Sequence, residues 1–152
     1  MEVYRLARAK YANTLSGVGA AIKGARWNSK GVEVIYTASN RSLAMAEVAV
    51  HLSIANLPTD YMMTTIYVPN TILIDKVNQK KLPKDWNCFP PVHTTQIIGD
   101  TFVYTNKFAL LQVPSAVTKG DFNFILNPHH IDFKKIKIIK TDRFPFDKRL
   151  FF

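Results

Sequence analysis

One cysteine, Cys88, stands among 152 residues, so an internal disulfide and any multi-cysteine metal site are excluded. Such usage suits a reducing compartment, and a cytoplasmic setting is expected. Long hydrophobic runs are missing too. Every apolar stretch stops well short of the ~18 residues a spanning helix needs, so no membrane segment is expected. The opening MEVYRLARAKYA has an acid at position 2 and no apolar centre, unlike a secretory leader. Acids are scarce, 11 against 20 lysines and arginines. No GxGxxG fingerprint is present, since Gly17, Gly19 and Gly24 give GxGxxxxG without a suitable preceding strand. RRM, KH, helix-turn-helix and zinc-finger patterns are absent as well.

What remains is an ordinary globular composition, 47% hydrophobic and 20% charged, at a length that fits one domain with a sizeable core. The net charge of +9 is uneven. Residues 1–41 carry seven bases and two acids, residues 134–149 again seven and two, and the middle is close to balanced. Basic ends suit an acidic protein, an anionic small molecule or a nucleic acid. In KKIKIIK the lysines alternate imperfectly with isoleucines, the pattern of a strand with one face in water. Without a nucleic-acid motif, direct nucleic-acid binding is not the expected use of this charge.

Repeats, low-complexity tracts and linkers are absent, which leaves a single domain over residues 1–152. Val3 to Leu6 reads as a first strand. Residues 11–31 hold four of the six glycines and read as a loop with a short helical turn. Val32 to Ala38, VEVIYTA, is a strand bounded by Gly31 and Ser39. A helix is expected over Ser42 to Asn56, with Ser42 as its cap and Leu57-Pro58 as its stop. Strands follow over Asp60–Pro69 and Thr71–Ile74, then a Pro- and Lys-rich connection over 76–91. His93 to Asn106 reads as a helix weakened at Gly99. Short strands cover Leu110–Val113, Phe122–Leu126 and about Ile136–Thr141. Strands outnumber helices without regular alternation, so a mixed α+β domain is expected and a doubly wound sheet is not.

Glu47 is the only charged residue in SLAMAEVAVHLSIAN. Apolar residues surround it in nearly every helical direction, so the helix is expected to be buried on most sides. A buried carboxylate costs several kcal/mol unless it is paired. Either a structural ion pair or a chemical use holds it there. Arg26 and Tyr36 lie upstream at intervals that let a loop, a strand and a helix bring all three to one cleft. Arginine offers a planar charged fork for pyrophosphate or carboxylate. Tyrosine offers a stacking surface and one hydroxyl. His51, four residues after Glu47, shares its helical face, and a core histidine bonded to a backbone carbonyl is the expectation. His129 and His130 lack acid or cysteine partners for zinc, and Cys88 beside Trp86 and Phe89 reads as packing.

The string GARWNSKGVEVIYTASNRSLAMAEVAVHL resembles the central signature of the RES domain family, named for its arginine, glutamate and serine. VYRLA near the start, VPSA at Val113–Ala116, NPHH at Asn127–His130 and the terminal FDKRLF resemble that family in order. Ala25 departs from it, standing where glycine is frequent. The resemblance implies a small ADP-ribosyltransferase-like split β-sheet core flanked by helices. It also implies a toxin of a bacterial toxin–antitoxin pair that consumes NAD as a substrate and needs no other cofactor and no metal. Mapped onto this chain, the family's active-site residues fall on Arg26, Tyr36, Glu47 and Ser115. Arg5, Asn28 and Asn127 are further residues expected to line the NAD site. The implied partner is an antitoxin, often of the Xre helix-turn-helix type, with which the toxin could form an oligomer.

Chemistry agrees with that carry-over. The nicotinamide of NAD leaves as a neutral molecule, so one carboxylate that stabilises an oxocarbenium-like transition state suffices. Water, phosphate or a protein side chain would then attack. The alternatives are a protein ADP-ribosyltransferase using the same site and a non-catalytic module acting through its basic ends.

Overall fold

β-Branched and aromatic residues draw seven segments into one sheet in the computed structural model, which describes residues 1–151. The strands are β1 (Glu2–Arg8), β2 (Ile35–Ala38), β3 (Tyr61–Tyr67), β4 (Ile74–Lys76), β5 (Leu110–Pro114), β6 (Phe122–Leu126) and β7 (Lys137–Arg143). Their order is β4-β5-β6-β2-β1-β3-β7. Only β4 and β5 run parallel; all other neighbours are antiparallel. This is the mixed domain expected, and its sheet is not doubly wound.

The sheet has a seam. β1 and β3 pair along seven residues, from Glu2 opposite Tyr67 to Arg8 opposite Tyr61. β1 and β2 meet at a single pair, Tyr4 opposite Ala38. Two halves, β4-β5-β6-β2 and β1-β3-β7, are therefore joined by one registered pair, the split form that the resemblance implied. Alternation along the strands sorts the core. Ile35, Leu110, Phe124 and Leu126 pack on one face with Val3 and Ile66. Leu111, Val113 and Ile125 pack on the other with Trp27, Trp86 and Phe102. A third cluster, Leu6, Ala38, Leu43, Ala44 and Met63, seats a helix across the seam.

That helix is α3 (Arg41–Ala49), shorter than the span expected over Ser42–Asn56. Asn40, not Ser42, caps it, its Oδ1 accepting from the Leu43 amide at 2.8 Å. Beyond Val50 the chain leaves the helix, and Ile54–Asn56 forms only a 3₁₀ turn. Burial is also less than expected: within α3 only Leu43 and Ala44 are buried, while Val50 just beyond is 58% exposed. The apolar run marks the rim of a cleft there, not the inside of a core.

A short helix α1 (Ala9–Ala12) leads into the glycine-rich segment, which holds one short helix, α2 (Val18–Lys23). The last helix, α4 (His93–Thr105), is close to its expected span. Gly99 has a purpose there that helix propensity does not reveal. A Cβ at that position would lie 1.6 Å from the Trp27 carbonyl oxygen. Glycine lets α4 press directly on the Arg26–Trp27 loop. Among the described residues no helix is long and apolar enough to cross a membrane.

Candidate active site

Where the sheet parts, a cleft of about 1100 Å³ opens, just above the roughly 300–1,000 Å³ usual for ligand pockets. Its walls include Tyr4 and Arg5 of β1, Tyr36 of β2, Glu47 of α3, Asn123 of β6 and the loop bearing Arg26. Four of the residues singled out in the sequence, Arg5, Arg26, Tyr36 and Glu47, share this one cavity. Ser115 reaches it through Glu47.

Glu47 is half-buried, not sunk in apolar surroundings as expected. Its Oε1 accepts from Ser115 Oγ at 2.7 Å and from Asn123 Nδ2 at 2.6 Å. Oε2 accepts nothing from the described residues, so one oxygen is fixed and the other is left without a partner on a residue that lines the cleft. Ser115 is 5% exposed and closes a turn after β5. Its Oγ accepts from the amides of Val117 at 3.1 Å and Thr118 at 3.0 Å. Two donors on that oxygen leave its own proton for Glu47.

Arg26 projects from the loop that α4 presses on. Gln96 Nε2 donates to the Ala25 carbonyl at 3.0 Å, and Asp100 Oδ1 accepts from the Ser29 amide at 2.9 Å. Arg26 Nη1 donates to the carbonyls of Trp86 at 2.7 Å and Cys88 at 2.9 Å. Burial pulls its pKa below the usual arginine range, and the nearby Glu47 charge opposes that pull. The two do not form an ion pair. Arg5 is alike: Nη1 donates to the carbonyls of Tyr11 and Thr14 at 3.2 and 3.0 Å, and burial lowers its pKa. Both cations are thus held by carbonyl dipoles with no carboxylate partner among the described residues. With the exposed Lys23 they give the cleft three positive charges against one carboxylate. An anionic ligand would complete them.

Tyr36 lines the cleft, while its hydroxyl is engaged elsewhere. It accepts from the Trp27 amide at 3.1 Å and donates to Asn28 Oδ1 at 2.6 Å. Burial raises its pKa far above the ordinary tyrosine value, so the hydroxyl stays protonated.

Asn28 and Asn127 do not line the cleft. Asn28 is 0% exposed, and its Nδ2 donates to the carbonyls of Ala20, Ser29 and Val32. Its Nδ2 ties the glycine-rich segment together and its Oδ1 is taken by the Tyr36 hydroxyl. Asn127 is equally buried just past β6, at the end remote from Asn123, where Nδ2 donates to Asn106 Oδ1 and Oδ1 accepts from the His129 amide. Both support the fold and neither can touch a ligand in the cleft.

His51 is an exposed rim residue 6.2 Å from the Phe89 ring, not a core histidine. Cys88 and Phe89 are exposed as well, the latter by 78%, so neither is packing. Among the described residues no cluster of three metal-ligating side chains occurs. Asn123, Gln96 and Asp100 escaped the sequence reading. Asn123 left one signal: asparagine is disfavoured in strands, yet it stands between Phe122 and Phe124.

Compared with models of known families, residues 2–147 match the RES domain. The chain belongs to the RES domain family. It is 39% identical over 152 residues to the protein named Toxin Res of Photorhabdus laumondii subsp. laumondii, covering 99% of this chain and 97% of that one. It is 36% identical over 146 residues to the Prs ADP-ribosylating toxin of Sphingobium sp., covering 95% and 91%. Among solved structures, the MbcT–MbcA toxin–antitoxin complex of M. tuberculosis contains a chain with the same fold. That match has a TM-score of 0.75 at 21% identity, over 99% of this chain and 86% of the other. The split seven-stranded sheet is therefore a RES fold, and its cleft lies at the seam between the two half-sheets.

Proposed function

We propose that this RES domain is the toxin of a toxin–antitoxin pair and that it degrades NAD by cleaving the nicotinamide–ribosyl bond. The observation that carries the reading is Glu47, whose Oε1 is pinned by two donors while Oε2 has no partner among the described residues, in a cleft it shares with Arg5 and Arg26. A dinucleotide supplies what that cleft lacks. Its pyrophosphate would sit against the guanidinium groups of Arg26 and Arg5, and the nicotinamide ring would lie on the face of Tyr36. Glu47 Oε2 would then meet the ribose.

Nicotinamide departs with the bonding electron pair and needs no acid, because its ring nitrogen loses a positive charge as it leaves. The ribose is left electron-poor at C1, and the Glu47 carboxylate stabilises that charge as it forms. Ser115 keeps the carboxylate aligned. Water, giving up a proton to solvent, or phosphate completes the reaction by bonding to C1, giving ADP-ribose or its phosphorylated form. Depletion of NAD in the cytoplasm would arrest growth. The partner that restrains it is an antitoxin, of the Xre helix-turn-helix type, seated over the cleft mouth.

A second reading uses the same site to pass ADP-ribose to a protein side chain, and the name borne by the Sphingobium relative favours it. Purified protein incubated with NAD should release free nicotinamide. Equal rates from wild type and Glu47→Ala would remove both readings. NAD labelled in the adenylate half separates them: label that stays soluble means degradation, and label that becomes attached to protein means transfer.

A further inference from the structure

We infer that Asn123 is a positioning residue for Glu47, acting with Ser115 to leave one carboxylate oxygen for the substrate; this rests on the NAD-cleaving reading above. Asn123 sits in the middle of the sheet, opposite Ala38 of β2 and Val113 of β5. Its Nδ2 lies 2.6 Å from Glu47 Oε1, while its own Oδ1 is buried without any partner. A buried unpaired acceptor and a poor strand former make this residue a liability for the fold. What it contributes is the bond to Glu47. Chemistry fixes the amide's orientation, since Oδ1 turned toward the carboxylate would set lone pairs against lone pairs.

Two donors accomplish what one cannot. Held by Ser115 alone, the carboxylate could rotate about its last bond and exchange its oxygens. Held from β5's end and from β6 together, Oε1 is fixed between adjacent strands and Oε2 is aimed by exclusion. An amide also suits the task because it donates without titrating, so the alignment does not change with pH.

Asn123→Asp tests this, being nearly the same shape but ionisable. With one proton shared between the two carboxylates the hydrogen bond survives. When that proton leaves as pH rises, two negative groups in contact repel and Glu47 is displaced. The wild type has no such group at position 123. Nicotinamide release by Asn123→Asp should therefore fall on an alkaline limb that wild type lacks. Asn123→Ala should lose about 10- to 100-fold in kcat, the scale of one bond to a charged group, with a smaller change in KM for NAD and at every pH. Thermal melts of both variants accompany the assay, and the profile is read at temperatures where each is folded. A loss in Asn123→Asp that is uniform across pH, or a wild-type rate in Asn123→Ala, would overturn the positioning role alone. A wild type that releases no nicotinamide would overturn the NAD-cleaving reading, and the inference with it.

Discussion

Beside Glu47, two arginines and a tyrosine shape the site at the scale of single residues, the arginines for one physical reason and the tyrosine for another. Arg26 and Arg5 are partly buried cations answered only by carbonyl oxygens. Lysine in place of Arg26 keeps the charge but loses the fork that can hold the loop carbonyls and an anion together. Arg26→Lys should raise KM for NAD by about tenfold, the equivalent of roughly 1.4 kcal/mol, and initial-rate kinetics check it. Tyr36→Phe should cost about 1–3 kcal/mol of stability, because the Trp27 amide and Asn28 Oδ1 are left unpaired. The sign with pH follows from the raised pKa. Folding holds this phenol neutral, so its contribution is complete below 10 and is lost as pH rises past 10, where the unfolded chain ionises. The stability gap between wild type and Tyr36→Phe, measured by denaturant melts, should narrow over that range. That Arg26, Tyr36 and Glu47 gather at one cleft, with Ser115 bonded to Glu47, follows residues that a charge within an apolar run and several ordered motifs single out in the sequence. Asn28 and Asn127 carry the same kind of motif signal yet turn inward, and the string alone does not tell a ligand contact from a buried tie.

At the scale of elements, α4 governs the site without contributing a charge to it. Its Gly99, Gln96 and Asp100 grip residues 25–29 and so fix where Arg26 points. Gly99→Ala would gain helix propensity but drive a methyl into the Trp27 carbonyl. A net loss of about 1–3 kcal/mol is expected, as for other overpacked contacts, together with weaker NAD binding. Chemical denaturation and ligand titration measure the two effects. Propensity read from sequence treated Gly99 only as a flaw in a helix, since the loop that meets it lies over 70 residues away. The helix over Ser42–Asn56 was overextended for a related reason. An apolar stretch looks the same whether it fills a core or rims a cleft, and Val50 and Ile54 belong to the exposed side of that ambiguity.

At the scale of the whole molecule, the β1–β2 seam turns a sheet into a site. A sheet fully paired at that point would leave no room between Arg5 and Tyr36; joined at Tyr4 and Ala38 alone, it opens a cavity of dinucleotide size. Strand content and the mixed class were legible from alternation. The order β4-β5-β6-β2-β1-β3-β7 was not, because pairing partners as far apart as Ile35 and Leu126 leave no local mark. The direct test of the account is the rate of nicotinamide release from saturating NAD by wild type and by Glu47→Gln. Glutamine keeps the shape and removes the charge that, on the proposed chemistry, would steady the ribosyl cation. A drop on the order of 10²–10³-fold in kcat is predicted, the scale of one lost electrostatic stabiliser, with the melting temperature little changed. A glutamine variant that turns over NAD like wild type would contradict the account.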